Sequence, residues 1–424
     1  MWPAGVLRHK TRSRNVPMVE IDLALQGATG PSRADWTTLE APVVLSTTLS
    51  PGQSFGWKRL AVSEEAYLGV MGNSVVLFVQ SEKSIRWCTL AGPGVTCQRV
   101  RSFLGLDDGP LQDLRSAWAK SCTRLAQVAE CLPGLCVLQQ DLVETIFGFI
   151  CSQNNNVSRI CLLMDRLRAT YGELLCSIAP GVDAEGDGDL AVLREFNVQR
   201  KLYAFPSVAR LAAASESSLK ALGLGYRAAY VRSAAKMLLQ KDGCMLKWLE
   251  QSRDSIDLSG IDPLQTEEPE GMRQRRLEVR KELCRLPGVG PKVADCIALF
   301  AMKQHGSVPV DVHIWQIVTR DYEPELREAK SLTPLVYERV GNAFRHRFGA
   351  PFAGWAHSLL FGAEFGALRA QLPTQMLKEM DAYREEIKAQ KLKKRKALRK
   401  SDKTGPGNSK ERDRLKMKRP NTNR

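Results

Sequence analysis

Residues 277–303, LEVRKELCRLPGVGPKVADCIALFAMK, constrain the chain more tightly than any other stretch. A helical pattern ends near Leu286, Pro287-Gly288-Val289-Gly290 makes a tight turn, and a second helix begins at Pro291. Proline suits the first helical position, because the N–H it lacks has no intrahelical partner there. Gly288 and Gly290 let the backbone approach a ligand closely, and the free N–H groups of the helix start form an anion site. A nucleic-acid phosphate fits. Two other folds with a glycine turn before a helix are excluded. A dinucleotide fingerprint needs a third glycine near Val293 and a preceding strand. A P-loop needs Ser or Thr after the lysine, where this chain has Val293.

Around that hairpin the hydrophobic periodicity reads as α+β. Ala66–Met71 and Val75–Val79 are apolar runs joined across Gly72-Asn73-Ser74, with Ile85–Leu90 as a third strand. After about Pro110 apolar residues recur at spacings of three and four, in Leu142–Ile150, Ile160–Leu167, Tyr230–Leu239 and Val293–Phe300. The expected organisation is an N-terminal antiparallel β-sheet domain over 43–130 and an all-helical body over 131–370 containing the helix-hairpin-helix. Two stretches look inserted. Gly181–Asp189 is acidic and opens like a calcium loop, but its twelfth position is Arg194 where a bidentate Glu is required. Gln251–Arg276, with Pro263 and Pro269, reads as a surface excursion.

Charge is concentrated at the ends. The formal net charge is +15, yet residues 388–424 alone hold sixteen Lys/Arg against three acids, so the body is close to neutral. Beyond Met376 a charged helix candidate passes into a lysine-rich tail, and 377–424 is expected to be largely disordered, with too few apolar residues to fold alone. Residues 1–20 form a basic extension with the composition of a matrix-targeting presequence; a frayed basic terminus is the alternative. No run of eighteen apolar residues exists, so no membrane span is expected. Eleven cysteines without a CxxC pair suggest reduced thiols and no zinc.

Six separated motifs carry a family resemblance. LPGVGPKVADC (286–296) resembles the hairpin of the helix-hairpin-helix DNA glycosylases, and VPVDVHIW (308–315) the segment bearing their essential aspartate. PGQSFGW (51–57), CSQNNNVSR (151–159), LGLGYRA (222–228) and FAGWAHSLLF (352–361) narrow the resemblance to the eukaryotic 8-oxoguanine DNA glycosylases, over about residues 45–365. It implies a bifunctional enzyme that flips oxidised guanine out of double-stranded DNA opposite cytosine, excises it, and cleaves the strand by β-elimination. A monomer without cofactor is expected; the basic tail from Lys388 points to a nuclear location, and the basic residues before Glu20 to a mitochondrial form as a second one. No cysteine follows Cys296, so the iron–sulfur cluster of endonuclease III is not expected. The rival readings are a helix-hairpin-helix module that only binds DNA, and a related glycosylase for other damaged bases. A pure binding module needs neither Lys292 nor Asp311.

Those two residues have chemical reasons to matter. A lysine attacks C1′ of a deoxyribose only as the neutral amine, and a helix start with partial burial should lower the pKa of Lys292. A plain phosphate-binding lysine is the alternative. Asp311 is expected to cap the helix Val312–Thr319; by the resemblance it also stabilises positive charge building on the sugar. Cys296 lies four residues after Lys292 on the same helix face, where a structural cysteine would be ordinary. The resemblance puts Cys296 and Phe361 on opposite faces of the flipped base. It makes Tyr226 the wedge, gives Asn154, Arg159 and Arg227 contacts to the estranged cytosine, and sets His313 with Gly288 and Gly290 on the DNA backbone. Gly52 would accept, through its carbonyl, the N7 hydrogen that guanine lacks. His357 departs from the family, standing where a glutamine usually reads the base edge. Histidine in that place predicts a pH-dependent lesion affinity between about 5.5 and 7.5; packing between helices is the alternative.

Overall fold

The computed structural model describes residues 35–50, 52–60, 66–178, 200–253, 260–364 and 366–404. The basic segment 1–20, the acidic stretch Gly181–Asp189 and the final residues of the tail, 405–424, lie outside them.

Five antiparallel strands form the N-terminal sheet: β1 (Thr37–Glu40), β2 (Lys58–Arg59), β3 (Ala66–Met71), β4 (Ser74–Gln80) and β5 (Ser84–Ala91), in the order β1-β5-β4-β3-β2. Gly72 turns β3 into β4 at φ +64, with Met71 paired to Ser74. The sheet begins at Thr37, six residues before the expected start, because the edge strand TTLE has too little apolar pattern to register. β4 reads as a continuous apolar run because both faces of the sheet are covered. Alternate side chains of a strand point to opposite faces, so Val76 and Phe78 join Leu39, Trp87 and Leu138 on one side, while Val75, Leu77 and Val79 join Leu68 and Cys88 on the other.

The second face is closed by a feature the sequence did not announce. β6 (Leu174–Ile178) and β7 (Arg200–Tyr203) pair antiparallel and pack Ile178, Leu175, Cys176 and Leu202 against the sheet. The body is therefore not all-helical. Helices also occur before Pro110, at Leu45–Leu49 and at Cys97–Phe103, where the Thr96 hydroxyl accepts from the Arg99 N–H.

The helical body packs around Leu142–Cys151, whose residues are apolar on nearly every side and almost all buried, as a central helix requires. Asp141 caps it by accepting from the Glu144 N–H. The described part of Gln251–Arg276 lies at the surface as expected, with none of residues 260–275 buried. It is tied down, for Arg276 and Glu268 form an ion pair and the Ala350 N–H donates to the Gln265 carbonyl. The residues from 377 onward, expected to be largely disordered, are helical in their first part. They continue a helix, Thr374–Thr404, whose first turns dock because Met376, Met380 and Tyr383, spaced for one face, are buried. Tyr383 and Thr319 share a hydrogen bond of 2.7 Å, and Glu364 pairs with both Arg320 and Arg384. Among the described residues no helix is long and apolar enough to cross a membrane.

Candidate active site

The hairpin forms where the sequence puts it, between helices Glu270–Leu283 and Pro291–Ala301. Val289 N–H closes the turn on the Leu286 carbonyl at 3.0 Å. Gly288 sits at φ +83, and a Cβ there would lie 2.8 Å from the Tyr230 ring, so a side chain is excluded twice. Its carbonyl accepts from Gln153 Nε2 at 2.6 Å, which ties the hairpin to the loop following the central helix. Gly290 caps the second helix without a side-chain hydrogen bond, and the space beside it is open. The first N–H groups of that helix thus stay available to an anion.

Lys292 stands in the first turn and faces a cavity of about 770 Å³. Gly52, Gln53 and Phe55 line it from the sheet domain. Phe149, the 152–157 loop and Ile160 come from the central helix and its successor, and Val293, Cys296 and Phe300 from the hairpin helix. Pro309, Asp311, Val312 and His313 come from the next segment, and His357, Ser358 and Phe361 from helix Ala353–Gly362. Eight of the thirteen expected site residues therefore share one cavity: Gly52, Asn154, Lys292, Cys296, Asp311, His313, His357 and Phe361. Their positions come from five separate parts of the chain. Gly52 holds φ +79 with Val157 Cγ2 only 3.4 Å from where its Cβ would stand.

The Lys292 ammonium lies 5.9 Å from the centroid of the Phe149 ring. Burial works against its charged form, but Cys296 and Asp311 work for it and prevail, so its pKa is raised. The expectation of a lowered value is thus not met: Cys296 and, after it, the Asp311 carboxylate offset what burial and the helix start would do. Cys296, pushed up to about 11 by burial, keeps its proton near neutral pH, which leaves Asp311 as the charge opposing burial there. To serve as the expected nucleophile, Lys292 would first have to give up a proton. Asp311 is held by its own helix. It accepts from the His313 N–H at 2.9 Å and the Ile314 N–H at 3.1 Å, capping Val312–Asp321 as expected.

His357 lines the cavity as expected, with one ring nitrogen committed to the backbone. Its Nε2 lies 3.1 Å from the Pro309 carbonyl, which can only accept, so that nitrogen carries the hydrogen. The ring stacks on Phe361 at 5.5 Å and 14°, and is pushed down to about 4, first by burial. A pKa pushed that low argues against the expected pH dependence of lesion affinity between 5.5 and 7.5, while His357 keeps its place in the cavity wall beside Phe361. His313 meets Phe361 edge-on from the other direction, at 6.3 Å and 82°.

The rim gathers the remaining group. Asn156 caps helix Val157–Tyr171 by accepting from the Arg159 N–H, and Asn154 takes φ +46, a conformation asparagine tolerates. Tyr226 is exposed beside it, with Asn154 Nδ2 3.4 Å from its hydroxyl, on a turn where Gly223 and Gly225 have φ +91 and +59. Arg159 is exposed and reaches the Gly223 carbonyl at 3.4 Å. Arg227 is not a free contact. It is buried, donates to the Gln153 carbonyl at 2.9 Å and the Asn154 carbonyl at 3.1 Å, and lies over the Tyr226 ring. In this geometry its guanidinium shapes the loop.

Sequence reasoning missed a buried relay behind Lys292. Asp295, fully buried one turn beyond Lys292, accepts from Arg280 Nε at 2.8 Å and from the Tyr337 hydroxyl at 2.6 Å. That hydroxyl accepts in turn from the Val310 N–H at 3.3 Å. One phenol thereby links the helix of Lys292 to the backbone beside Asp311. An acid within the apolar run VADCIALF was the available signal.

Comparison with known proteins agrees with this geometry. Residues 37–146 match the 8-oxoguanine DNA glycosylase N-terminal domain, and residues 147–336 match the HhH-GPD superfamily base excision DNA repair protein. The junction falls inside the central helix, which both halves share. An N-glycosylase/DNA lyase of Arabidopsis thaliana is 33% identical over 334 residues, 78% of this chain and 80% of that protein. One of Saccharomyces cerevisiae is 28% identical over 366 residues, 80% and 88% of the two chains. The 8-oxoguanine glycosylase/lyase of Clostridium acetobutylicum, solved with double-stranded DNA containing cytosine opposite 8-oxoG, shares the fold with a TM-score of 0.55 at 19% identity, over 78% of this chain and 97% of that one. With both halves matched in order and a relative of this identity covered across most of its length, the chain belongs to the N-glycosylase/DNA lyase family of helix-hairpin-helix base excision repair proteins.

Proposed function

We propose that this protein excises 8-oxoguanine opposite cytosine from duplex DNA and then cleaves the strand as a lyase, with Lys292 as nucleophile. The observation that carries the reading is the facing of Lys292 and a helix-capping Asp311 across one cavity, at the start of a helix with open N–H groups. A phosphate at the hairpin would anchor the strand, and the cavity would receive the extruded base, whose vacated place Tyr226 fills. Lys292, once deprotonated, attacks C1′; the glycosidic bond breaks and its electron pair leaves with the base, which takes up a proton. Asp311 stabilises the positive charge on the sugar, a contribution greatest in the transition state. The amine now bonded to C1′ loses a proton, the C1′–O4′ bond breaks and O4′ takes up a proton, which opens the sugar ring and leaves a Schiff base; this makes the C2′ proton acidic, and its loss expels the 3′ phosphate. Cys296 and Phe361 bracket the base, Gly52 reads its N7–H, and Asn154 and Arg159 bear on the partner cytosine, with Arg227 holding the loop that carries Asn154. The lysine-rich stretch from Lys388 supports a nuclear location, and the basic residues 1–20 support a second, mitochondrial one.

The test is borohydride trapping on duplexes with a defined lesion and partner base. Wild-type protein should become covalently attached to DNA containing 8-oxoguanine opposite cytosine, and Lys292→Gln should not. Undiminished trapping by the variant would remove Lys292 from the chemistry.

A further inference from the structure

A second cavity, of about 520 Å³, lies away from the active site. Its walls are the outer face of β2 and β3, the strand β7, and the C-terminal half of helix Val157–Tyr171. Among the described residues five cationic side chains line it, Lys58, Arg59, Arg168, Arg200 and Lys201, against a single carboxylate, Asp165, which Lys58 engages. Arg59 and Lys201 are exposed and make no ion pair among the described residues. Arg168 is 5% exposed; Glu144 holds one end of its guanidinium, while its buried Nε has no hydrogen-bond partner among the described residues. Gly56 makes room for it, since a Cβ there would stand 2.7 Å from both terminal nitrogens. A buried guanidinium N–H without an acceptor is costly, and an anion in the cavity would supply one.

The remaining lining is apolar and aromatic. Trp57, stacked on Phe78 at 4.8 Å and therefore fixed in place, lies with Leu60, Leu68, Val70, Leu202 and Tyr203. Apolar walls with a few converging charges, at this volume, suit a small organic anion better than a bare ion. Arg168 follows Asn156 by twelve residues, roughly 18 Å along the helix axis. The two cavities share no lining residue.

We propose that this cavity binds a nucleoside phosphate, with the phosphate among Arg59, Arg168 and Lys201 and the base against the aromatic wall. The phosphate could belong to a free nucleotide or to the 5′ end of a single strand, and the test separates these sources. Binding of dGTP, inorganic triphosphate and a 5′-phosphorylated trinucleotide to the full-length protein is measured by titration calorimetry. The comparison is with the double variant Arg59→Glu, Lys201→Glu, whose exposed sites leave folding and lesion excision intact. The nucleotide should bind saturably, at least fivefold more tightly than triphosphate, and at least tenfold more weakly to the variant. Excess lesion duplex should not displace it. Tighter binding of the trinucleotide than of dGTP, with the same loss in the variant, assigns the site to strand ends. Absence of saturable binding, equal affinity of wild type and variant, equal affinity for triphosphate, or displacement by lesion duplex would each overturn the proposal.

Discussion

Replacing Tyr337 by Phe removes one oxygen and should uncouple the two halves of the catalytic pair. The hydroxyl donates to Asp295 at 2.6 Å and accepts from the Val310 N–H at 3.3 Å, and all three residues are buried. Losing a hydrogen bond to a carboxylate costs about 1.5–3 kcal/mol, and stranding a buried N–H about 1–3 kcal/mol. The Val310 bond is long, so its share belongs at the lower end, and a total near 3 kcal/mol is expected. Asp295 keeps its bond from Arg280, so the helix of Lys292 should hold. The Val310 backbone, adjacent to Asp311, loses its anchor. A displacement of about 1 Å at a reacting group can cost roughly 100-fold, so excision should slow by about 10–100-fold at saturating DNA while KM changes by about twofold or less. Single-turnover excision with urea unfolding measures both quantities. Leu125→Ala, fully buried in a different helix, should lose a comparable 2–5 kcal/mol yet excise at the wild-type rate when folded. If Tyr337→Phe also excises normally despite its lost stability, the relay only supports the fold and the positioning argument fails.

The other expectations follow from single geometric facts. His305 and His357 are each pushed down to about 4 by burial, so unfolding takes up protons below the ordinary histidine value of about 6.5. Stability should be full above about pH 6.5 and decline toward pH 4 by on the order of 3 kcal/mol per histidine; His357→Gln should remove roughly half of that slope in denaturation curves without altering the pH profile of lesion binding, and an unchanged slope would refute the assignment. Asp311→Asn preserves a good capping residue, so melting temperature should move little while base release falls at least 100-fold; near-normal release would reduce Asp311 to a cap. Arg159→Ala should narrow the preference for lesions opposite cytosine over adenine without loss of stability, because its side chain is exposed and weakly tethered; an unchanged ratio excludes it from reading the partner base.

Local signals made much of the molecule legible in the sequence. The hairpin announced itself through Pro291 after Gly290, since those residues act on their own backbone, and the Asp311 cap is equally local. β3, β4 and β5 and the helices carrying Lys292 and Asp311 appeared within a few residues of their true bounds, because long apolar periodicity outweighs neighbours. Family motifs supplied what periodicity cannot, above all that Gly52, Lys292, Asp311 and Phe361 meet at one cavity. Features that depend on distant partners were hidden. The β6–β7 pair exists because a sheet face needed cover, and Leu174–Ile178 alone reads as more helix. The docked turns of Thr374–Thr404 depend on a groove for Met376, Met380 and Tyr383, and their charged neighbours masked the stripe. Arg227 and His357 show the same limit at the site: residue type says what each can bond, but only packing decided that carbonyls of residues 153, 154 and 309 would take those bonds. The raised pKa of Lys292 has the same origin, for a charge responds to every neighbour in space, and the carboxylate opposing burial stands nineteen residues away in the chain.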